Sequence, residues 1–297
     1  MKKVDTLMQA LPYIRRHRGK TFVVKLGGAV ADEKAGLSGL AQDLALLHTV
    51  GINICIVHGG GPQATQLAER LGHKSEFIEG RRVTDEATLE IAKMVFAGKI
   101  SLDILGALRA EGLKAVGLSG VAGDIIHAKR REPAPYKDPA TGVTRIVDMG
   151  HVGDIVSVDT KLLSVLMESG FVPVVNSLGA DAKGNVLNIN ADTVAWRLAV
   201  DLKAEKFLFM TDVDGILRDK SDPRSLISRI SVAQIERLIK RGKIAGGMIP
   251  KVRACIDALK GGVQRVHILN GNTEHTLLLE LFTKRGAGTL ITLEDTK

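Results

Sequence analysis

Thr21-Phe22-Val23-Val24-Lys25-Leu26-Gly27-Gly28 reads as a strand that runs straight into a turn. A β-favouring apolar run this short reads as an inner strand of a parallel sheet, buried on both faces. The two glycines let the backbone turn sharply and let a ligand approach the main chain. Lys25 stands where the strand runs out, at the carboxyl edge of the sheet, where open α/β folds bind ligands. Taken alone, it divides evenly between a ligand-facing charge and a strand-end lysine reaching into water. A second strand, Ile52–Val57, ends in His58-Gly59-Gly60-Gly61-Pro62 and tips the balance toward the ligand. Pro62 suits the start of a helix running to about Leu71. Strand, glycine turn and helix start together aim backbone N–H groups at an anion, although three glycines can also make a plain tight turn.

The same alternation continues along the chain. Leu37, Leu40, Ala41, Leu44 and Leu47 form a helical stripe that stops at Gly51. Helical periodicity runs from about Asp85 to Arg109, interrupted near Gly98, with Thr84 as its N-cap and Asp85 and Glu86 in the first turn. Strands are expected at Ala115–Leu118, Phe171–Val175, Asn185–Asp192, Lys206–Met210, Arg265–Leu269 and Thr289–Thr292. Ser231 and Gln234 make a capping box for a helix to Arg241. Lys243–Lys251 is a second glycine-bearing turn entering a helix, and a short helix follows around Leu277–Phe282. From Asp124 to Gly153 the chain turns polar and carries Pro133, Pro135 and Pro139; Ile125–Lys129 and Arg145–Asp148 are expected to pair as a hairpin. An excursion of that length is usually functional, often a lid. Strands alternating with helices give an α/β fold with a mainly parallel sheet.

Composition narrows the function. The 297 residues allow an extensive core, and aromatic content of 3% argues against a base-stacking nucleic-acid surface. No run is apolar enough to span a bilayer, so no membrane is expected. Cys55 and Cys255 have no metal-ligand spacing and read as buried thiols of a cytoplasmic protein. The net charge of +8 suits a multiply charged anionic substrate, and its excess lies in residues 1–20, where Lys2, Lys3, Arg15, Arg16, Arg18 and Lys20 face only Asp5. Val4, Leu7, Met8 and Leu11 give that segment an apolar stripe, with Pro12 as a kink. It is Arg-rich like a transit peptide but short and without serine, which favours an exposed helix docking on another subunit.

Several common chemistries are missing. The P-loop pattern is absent. Gly59, Gly61 and Ala64 fit a relaxed dinucleotide fingerprint, but no following strand ends in an acid at the expected distance; Glu76 and Glu79 lie in a polar stretch. His58-Gly-Gly-Gly resembles an esterase oxyanion turn, yet no G-x-S-x-G elbow supplies a nucleophile. The eight histidines show no paired metal spacing. What remains is lysines, glycines and amides without an obvious general base. A carboxylate acceptor, with a pKa of about 4.3, needs none to attack phosphorus. Phosphoryl transfer then requires in-line positioning and positive charge, which Lys25 and Lys251 can supply, with Asp192 holding their ammonium groups. The lesser alternative for Asp192 is an ordinary helix N-terminal aspartate.

Lys25-Leu-Gly-Gly, His58-Gly-Gly-Gly-Pro, Gly80-Arg-Arg-Val-Thr84, Leu187-Asn-Ile-Asn-Ala-Asp192 and Gly246-Gly-Met-Ile-Pro-Lys251 occur in the order seen in the amino-acid kinase family. Over roughly residues 20–292 the chain resembles its members that use ATP to phosphorylate the side-chain carboxylate of N-acetyl-L-glutamate in arginine biosynthesis. The resemblance implies a three-layer α/β/α sandwich with a central, mainly parallel sheet. Residues 20–200 would form the acceptor-binding lobe and 201–297 the nucleotide-binding lobe. Lys25 and Lys251 match lysines that stabilise the transferring phosphoryl group, and Asp192 the residue that orients them. Gly60 and Gly61 match backbone contacts to the acceptor and the phosphoryl group; Arg82 and Asn188 match acceptor contacts, and the 124–153 excursion the hairpin that covers the acceptor. Gly27, Gly28 and Thr211-Asp212-Val213-Asp214-Gly215 match the nucleotide region. Magnesium would be held mainly by the nucleotide phosphates, with no protein metal ligand.

The resemblance extends to regulation. Members inhibited by L-arginine share an N-terminal helix, here residues 1–19, that interlaces dimers into a hexamer, a trimer of dimers. They also share a C-terminal run like His275–Thr283 followed by Gly286–Leu290. Glu280 would face the effector, with His267, Tyr13 and Gly286 nearby; alternatively the C-terminal helix is plain core. Asn270-Gly271-Asn272 departs from relatives that carry an arginine after the glycine. The rival readings are a family kinase for carbamate, glutamate, aspartate or a nucleoside monophosphate; an arginine or nucleotide sensor without turnover; and a dehydrogenase. A sensor would not require two lysines at the reacting centre.

Overall fold

The structure is a computed structural model that describes residues 2–28, 30, 34–78, 80–138, 141–219, 221–283 and 286–294. Glu79 and Pro139, and the side chains of Val4 and Leu7, lie outside what it describes.

Short apolar runs became strands, in chain order β1 (Thr21–Leu26), β2 (Asn53–His58), β3 (Phe77–Ile78), β4 (Arg81–Arg82), β5 (Ala115–Ser119), β6 (Ile126–Arg130), β7 (Ala134–Lys137), β8 (Thr144–Val147) and β9 (Gly153–Val158). They continue as β10 (Val172–Asn176), β11 (Leu178–Ala180), β12 (Val186–Asn188), β13 (Lys206–Thr211), β14 (Arg229–Ser231), β15 (Arg265–Asn270) and β16 (Thr289–Thr292). Eight of them form the central sheet, in the order β14-β16-β15-β13-β1-β2-β10-β5. Every pairing in it is parallel except β15 with β16. A four-stranded sheet, β12-β11-β6-β9, stands beside it.

The strand period of two sorts the side chains of β1 onto opposite faces. Phe22, Val24 and Leu26 enter one apolar layer with Leu40, Leu44 and Leu47 of the helix Lys34–Thr49. Val23 enters the other, against the helices Ala191–Asp201 and Met248–Lys260 through Leu198 and Val252. Helices on both faces of a mainly parallel sheet give the three-layer sandwich expected from the sequence.

Three local expectations need correction. The hairpin within 124–153 does not pair Ile125–Lys129 with Arg145–Asp148: β6 pairs with β9, and β7 with β8. Ile126 and Ala128 of β6 enter the core, but the Pro-bearing stretch that follows is mostly exposed, so hydrophobic pattern does not fix which strand β6 joins. The interruption expected near Gly98 is present: Met94–Ile100 is a π-helical segment joining the helices Glu86–Lys93 and Ser101–Ala110. Asp85, not Thr84, caps the first of these, accepting from the Thr88 N–H at 2.8 Å. The strand expected over Asn185–Asp192 is only β12; Asn190 ends it by capping the next helix. The N-terminal helix Lys2–His17 continues through Pro12. It packs on the helix Thr276–Phe282 of its own chain, and His17 is buried, 2.9 Å from Glu205 Oε1.

Candidate active site

Lys25 follows Val23 at the strand period, so it faces the layer formed by the helices Ala191–Asp201 and Met248–Lys260. Those helices bring the other two expected residues to it. Asn190 Oδ1 accepts from the Asp192 N–H at 2.8 Å and the Thr193 N–H at 3.3 Å, starting the helix so that Asp192 falls in its first turn. Asp192 Oδ1 then lies 2.8 Å from Lys25 Nζ. Asp192 is both a helix N-terminal acid and an ion-pair partner, so the two sequence readings hold together.

Phe209 is the cross-strand partner of Lys25 on β13. Lys25 Nζ lies 4.7 Å from its ring centroid, and Lys251 Nζ lies 5.1 Å from it. A ring face attracts both ammonium groups and leaves their N–H donors free. Burial, followed by repulsion from Lys25, pushes the Lys251 pKa below the ordinary lysine value, while Asp192 and Asp212 hold it up. Sequence reading missed Phe209: β13 is buried throughout, so no alternation marks which of its side chains faces the site.

A cavity of 700 Å³ opens on one side, lined among others by Gly61, Thr65, Arg82, Arg131, Asn188 and Trp196. The Arg82 guanidinium donates to Gly61 O at 2.7 Å, Thr65 Oγ1 at 2.6 Å and Ser75 Oγ at 2.5 Å, and lies over the Phe77 ring. Burial lowers its pKa from the ordinary arginine value. Asn188 Nδ2 donates to Thr84 Oγ1 at 3.1 Å. Arg131 and Asp154, which the sequence reading did not single out, form an ion pair on the same wall.

The second glycine turn is packed from behind. A Cβ on Gly60 would lie 2.7 Å from Phe96 Cδ1 in the π-helical segment, whereas one on Gly61 would meet nothing within 4 Å. His58 is buried beneath this turn, 3.0 Å from Ser101 Oγ through Nε2 and 2.9 Å from Gly59 O through Nδ1. Burial pushes its pKa down to about 4, so the ring is neutral at pH 7.

A second cavity, of 490 Å³, is lined by Asp212, Val213, Gly215, Lys243, Met248 and Lys251, among others. Thr211 is buried behind it, its hydroxyl donating to Asp212 Oδ1 at 2.9 Å, and Asp214 accepts from Asn270 Nδ2 at 2.7 Å. Gly27 and Gly28 lie at the end of β1, with the Gly27 N–H donating to Met210 O at 3.0 Å. Lys251 thus lines the second cavity, and Asp192, bonded to Lys25, follows directly on Ala191 of the first.

The residues expected at an effector site also converge. His267 Nδ1 is 2.7 Å from Glu280 Oε1, and Glu280 Oε2 accepts from the Ala287 N–H at 2.7 Å and the Gly288 N–H at 3.1 Å. Gly286 lies against the same carboxylate. Tyr13 is on the N-terminal helix, which packs on the helix carrying Glu280.

Two ammonium groups and one carboxylate between two cavities are the arrangement of a phosphotransferase, and similarity to known proteins agrees. The amino acid kinase family pattern matches residues 20–270, and the chain belongs to that family. The acetylglutamate kinase of Methanothermobacter thermautotrophicus is 45% identical over 292 residues, 98% of this chain and 100% of that one. The acetylglutamate kinase of Methanocaldococcus jannaschii is 48% identical, covering 98% and 97% of the two chains. Among solved structures, the N-acetylglutamate synthase of Neisseria gonorrhoeae in complex with coenzyme A and N-acetyl-glutamate superposes with a TM-score of 0.83 at 31% identity. That match covers 99% of this chain but 64% of the synthase. The same synthase with coenzyme A and L-arginine gives a TM-score of 0.81 at 29% identity, covering 98% and 65%.

Proposed function

We propose that this chain transfers the γ-phosphoryl group of ATP to the side-chain carboxylate of N-acetyl-L-glutamate, a step of arginine biosynthesis. The observation that carries the reading is the pair of ammonium groups of Lys25 and Lys251 over one Phe209 ring, with Asp192 bonded to the first. Acetylglutamate kinases similar over almost their whole length supply the acceptor's identity.

In this reading the acceptor occupies the 700 Å³ cavity, with Arg82 and Asn188 holding its polar groups and Gly60 and Gly61 presenting backbone N–H groups. The nucleotide occupies the 490 Å³ cavity beside Thr211–Gly215 and the Gly27–Gly28 turn. Residues 20–200 and 201–297 act as acceptor and nucleotide lobes. A carboxylate oxygen bonds to the γ-phosphorus as the bond to the β–γ bridging oxygen breaks, and ADP leaves with the electron pair. No proton moves, which fits a site without a general base. Lys25 and Lys251 stabilise the charge on the transferring group, each by about 3 kcal/mol. Magnesium would arrive with the phosphates of ATP. Coordination through phosphate oxygens and water suits that ion.

The proposal extends to regulation and setting. L-arginine would bind beside Glu280, His267, Tyr13 and Gly286. A carboxylate offers about four acceptor directions, and Glu280 uses three, which leaves one for a guanidinium or ammonium group. The arginine-bound synthase lends support from a related fold. The N-terminal helix would join dimers into a hexamer. A cytoplasmic setting is part of this reading, in keeping with two buried free cysteines.

The test is an ATP-dependent hydroxamate assay, in which hydroxylamine traps the acyl phosphate. Signal with N-acetyl-L-glutamate that disappears in Lys25→Ala and Lys251→Ala supports the reaction and both lysines. Signal with glutamate or aspartate alone, from folded protein, overturns the acceptor assignment.

A further inference from the structure

Gln63 belongs to the helix Gly61–Arg70, one residue past Pro62, and only 4% of it is exposed. Its Nε2 donates to Gly28 O at 2.8 Å, which ties the helix after the second glycine turn to the first. Among the described residues its Oε1 is buried without a hydrogen-bond partner. A buried, unpaired carbonyl destabilises a fold, and an apolar side chain of similar size would avoid that cost. What the amide supplies in return is one N–H, aimed at the Gly28 carbonyl.

The two turns touch as well as bond. A Cβ on Gly28 would lie 2.7 Å from Pro62 Cδ, so the first turn lies flat against the start of the helix. The second turn is in its turn backed by Phe96 of the π-helical segment through Gly60. Ser101 Oγ lies 2.9 Å from Phe96 O and 3.0 Å from His58 Nε2, which fixes that segment. The acceptor-side turn therefore has a rigid support, and Gln63 transmits it to the nucleotide-side turn.

We propose that Gln63 is a positioning residue that sets the gap between the Gly27–Gly28 turn and the Gly59–Gly61 turn, across which the phosphoryl group moves. This rests on the phosphoryl-transfer reading above. A misplacement of about 1 Å at a reacting centre costs roughly 100-fold in rate. A loosened gap is felt when both substrates must align, and not when either binds alone.

The experiment compares the full-length protein with Gln63→Met and Gln63→Glu. Met keeps the volume and removes both polar atoms; Glu keeps the shape and an acceptor and removes the donor. Aluminium fluoride with MgADP and N-acetyl-L-glutamate serves as a mimic of the transferring group, with binding followed by calorimetry beside hydroxamate kinetics and thermal melting. The expected result is a loss of roughly 10–100-fold in kcat and in affinity for the ternary mimic in both variants, with KM and ADP affinity within about twofold of the parent; Gln63→Met keeps the melting temperature within a few degrees, whereas Gln63→Glu, which buries a carboxyl group, melts lower. Equal mimic affinity in parent and variants overturns the positioning role. So does a loss that follows ADP affinity and melting temperature in parallel, which marks a merely structural side chain. Failure of the parent itself to assemble the mimic with acetylglutamate instead overturns the acceptor assignment, and the two failures are distinct.

Discussion

Lys25 Nζ and Asp192 Oδ1 are 2.8 Å apart, and their side chains keep only 7% and 15% of their surface exposed. One charge comes from the end of the central strand β1 and the other from the first turn of a helix packed on that strand's face. Their meeting joins sheet to helix at the point where the two cavities approach each other.

Asp192→Asn leaves the Lys25 ammonium buried beside a neutral amide. Removing one partner of a buried pair destabilises by about 3 kcal/mol. We expect a lower urea midpoint and a kcat reduced by about 100-fold or more, because Lys25 loses its anchor. An unchanged midpoint would mean that the pair contributes nothing to the fold.

Adjacent glycines should fail differently. Gly60→Ala drives a methyl group into Phe96 and Ile100, and overpacking of this kind costs about 1–3 kcal/mol. Gly61→Ala meets no atom within 4 Å, so the melting temperature should hold while KM for acetylglutamate rises. If the two variants melt alike, the support behind Gly60 is not what holds the turn.

His58 makes stability depend on acidity. Its pKa is about 4 in the folded chain against an ordinary 6.5, so the unfolded chain binds the extra proton between those values. The contribution is complete above pH 6.5 and is lost as pH falls through 4. The difference amounts to about 3 kcal/mol at most. Urea denaturation of the parent and His58→Gln at pH 7.5, 6.0 and 5.0 should give a shallower acid decline in the variant; identical slopes would remove His58 as the cause.

The N-terminal helix is tied down within its own chain, with His17 against Glu205 and edge-on to Phe22 at 5.4 Å between ring centroids. Removal of residues 1–19 should lower the mass seen by light scattering and weaken arginine inhibition in the hydroxamate assay. A truncated protein with the parent's mass and arginine response would separate this helix from assembly and regulation.

The parallel core was legible because each inner strand is a short apolar run ending in glycine or a polar residue, which local pattern records. The Ser231–Gln234 capping box was legible for the same reason, with Gln234 Oε1 accepting from the Ser231 N–H at 3.0 Å and Ser231 Oγ from the Gln234 N–H at 3.2 Å. The partner of β6 was not, because β7 and β8 intervene and a polar ribbon carries no preferred face. Nor was the π-helical segment, whose spacing differs from a helix by one residue in a turn. Lys25, Asp192 and Lys251 could be singled out by residue type, but only the neighbouring registers of β1 and β13 put Phe209 beneath them. Gln63 gave no signal, since a glutamine in a first helical turn usually faces water.

β1 and β13 run hydrogen-bonded side by side from Phe22 opposite Lys206 to Leu26 opposite Met210. The seam between the two cavities is therefore the middle of a sheet and not a hinge. Any approach of one substrate toward the other across this seam would have to twist those strands, as in a leaf spring. The backbone that carries Lys25 would store that elastic work on loading and return it on release.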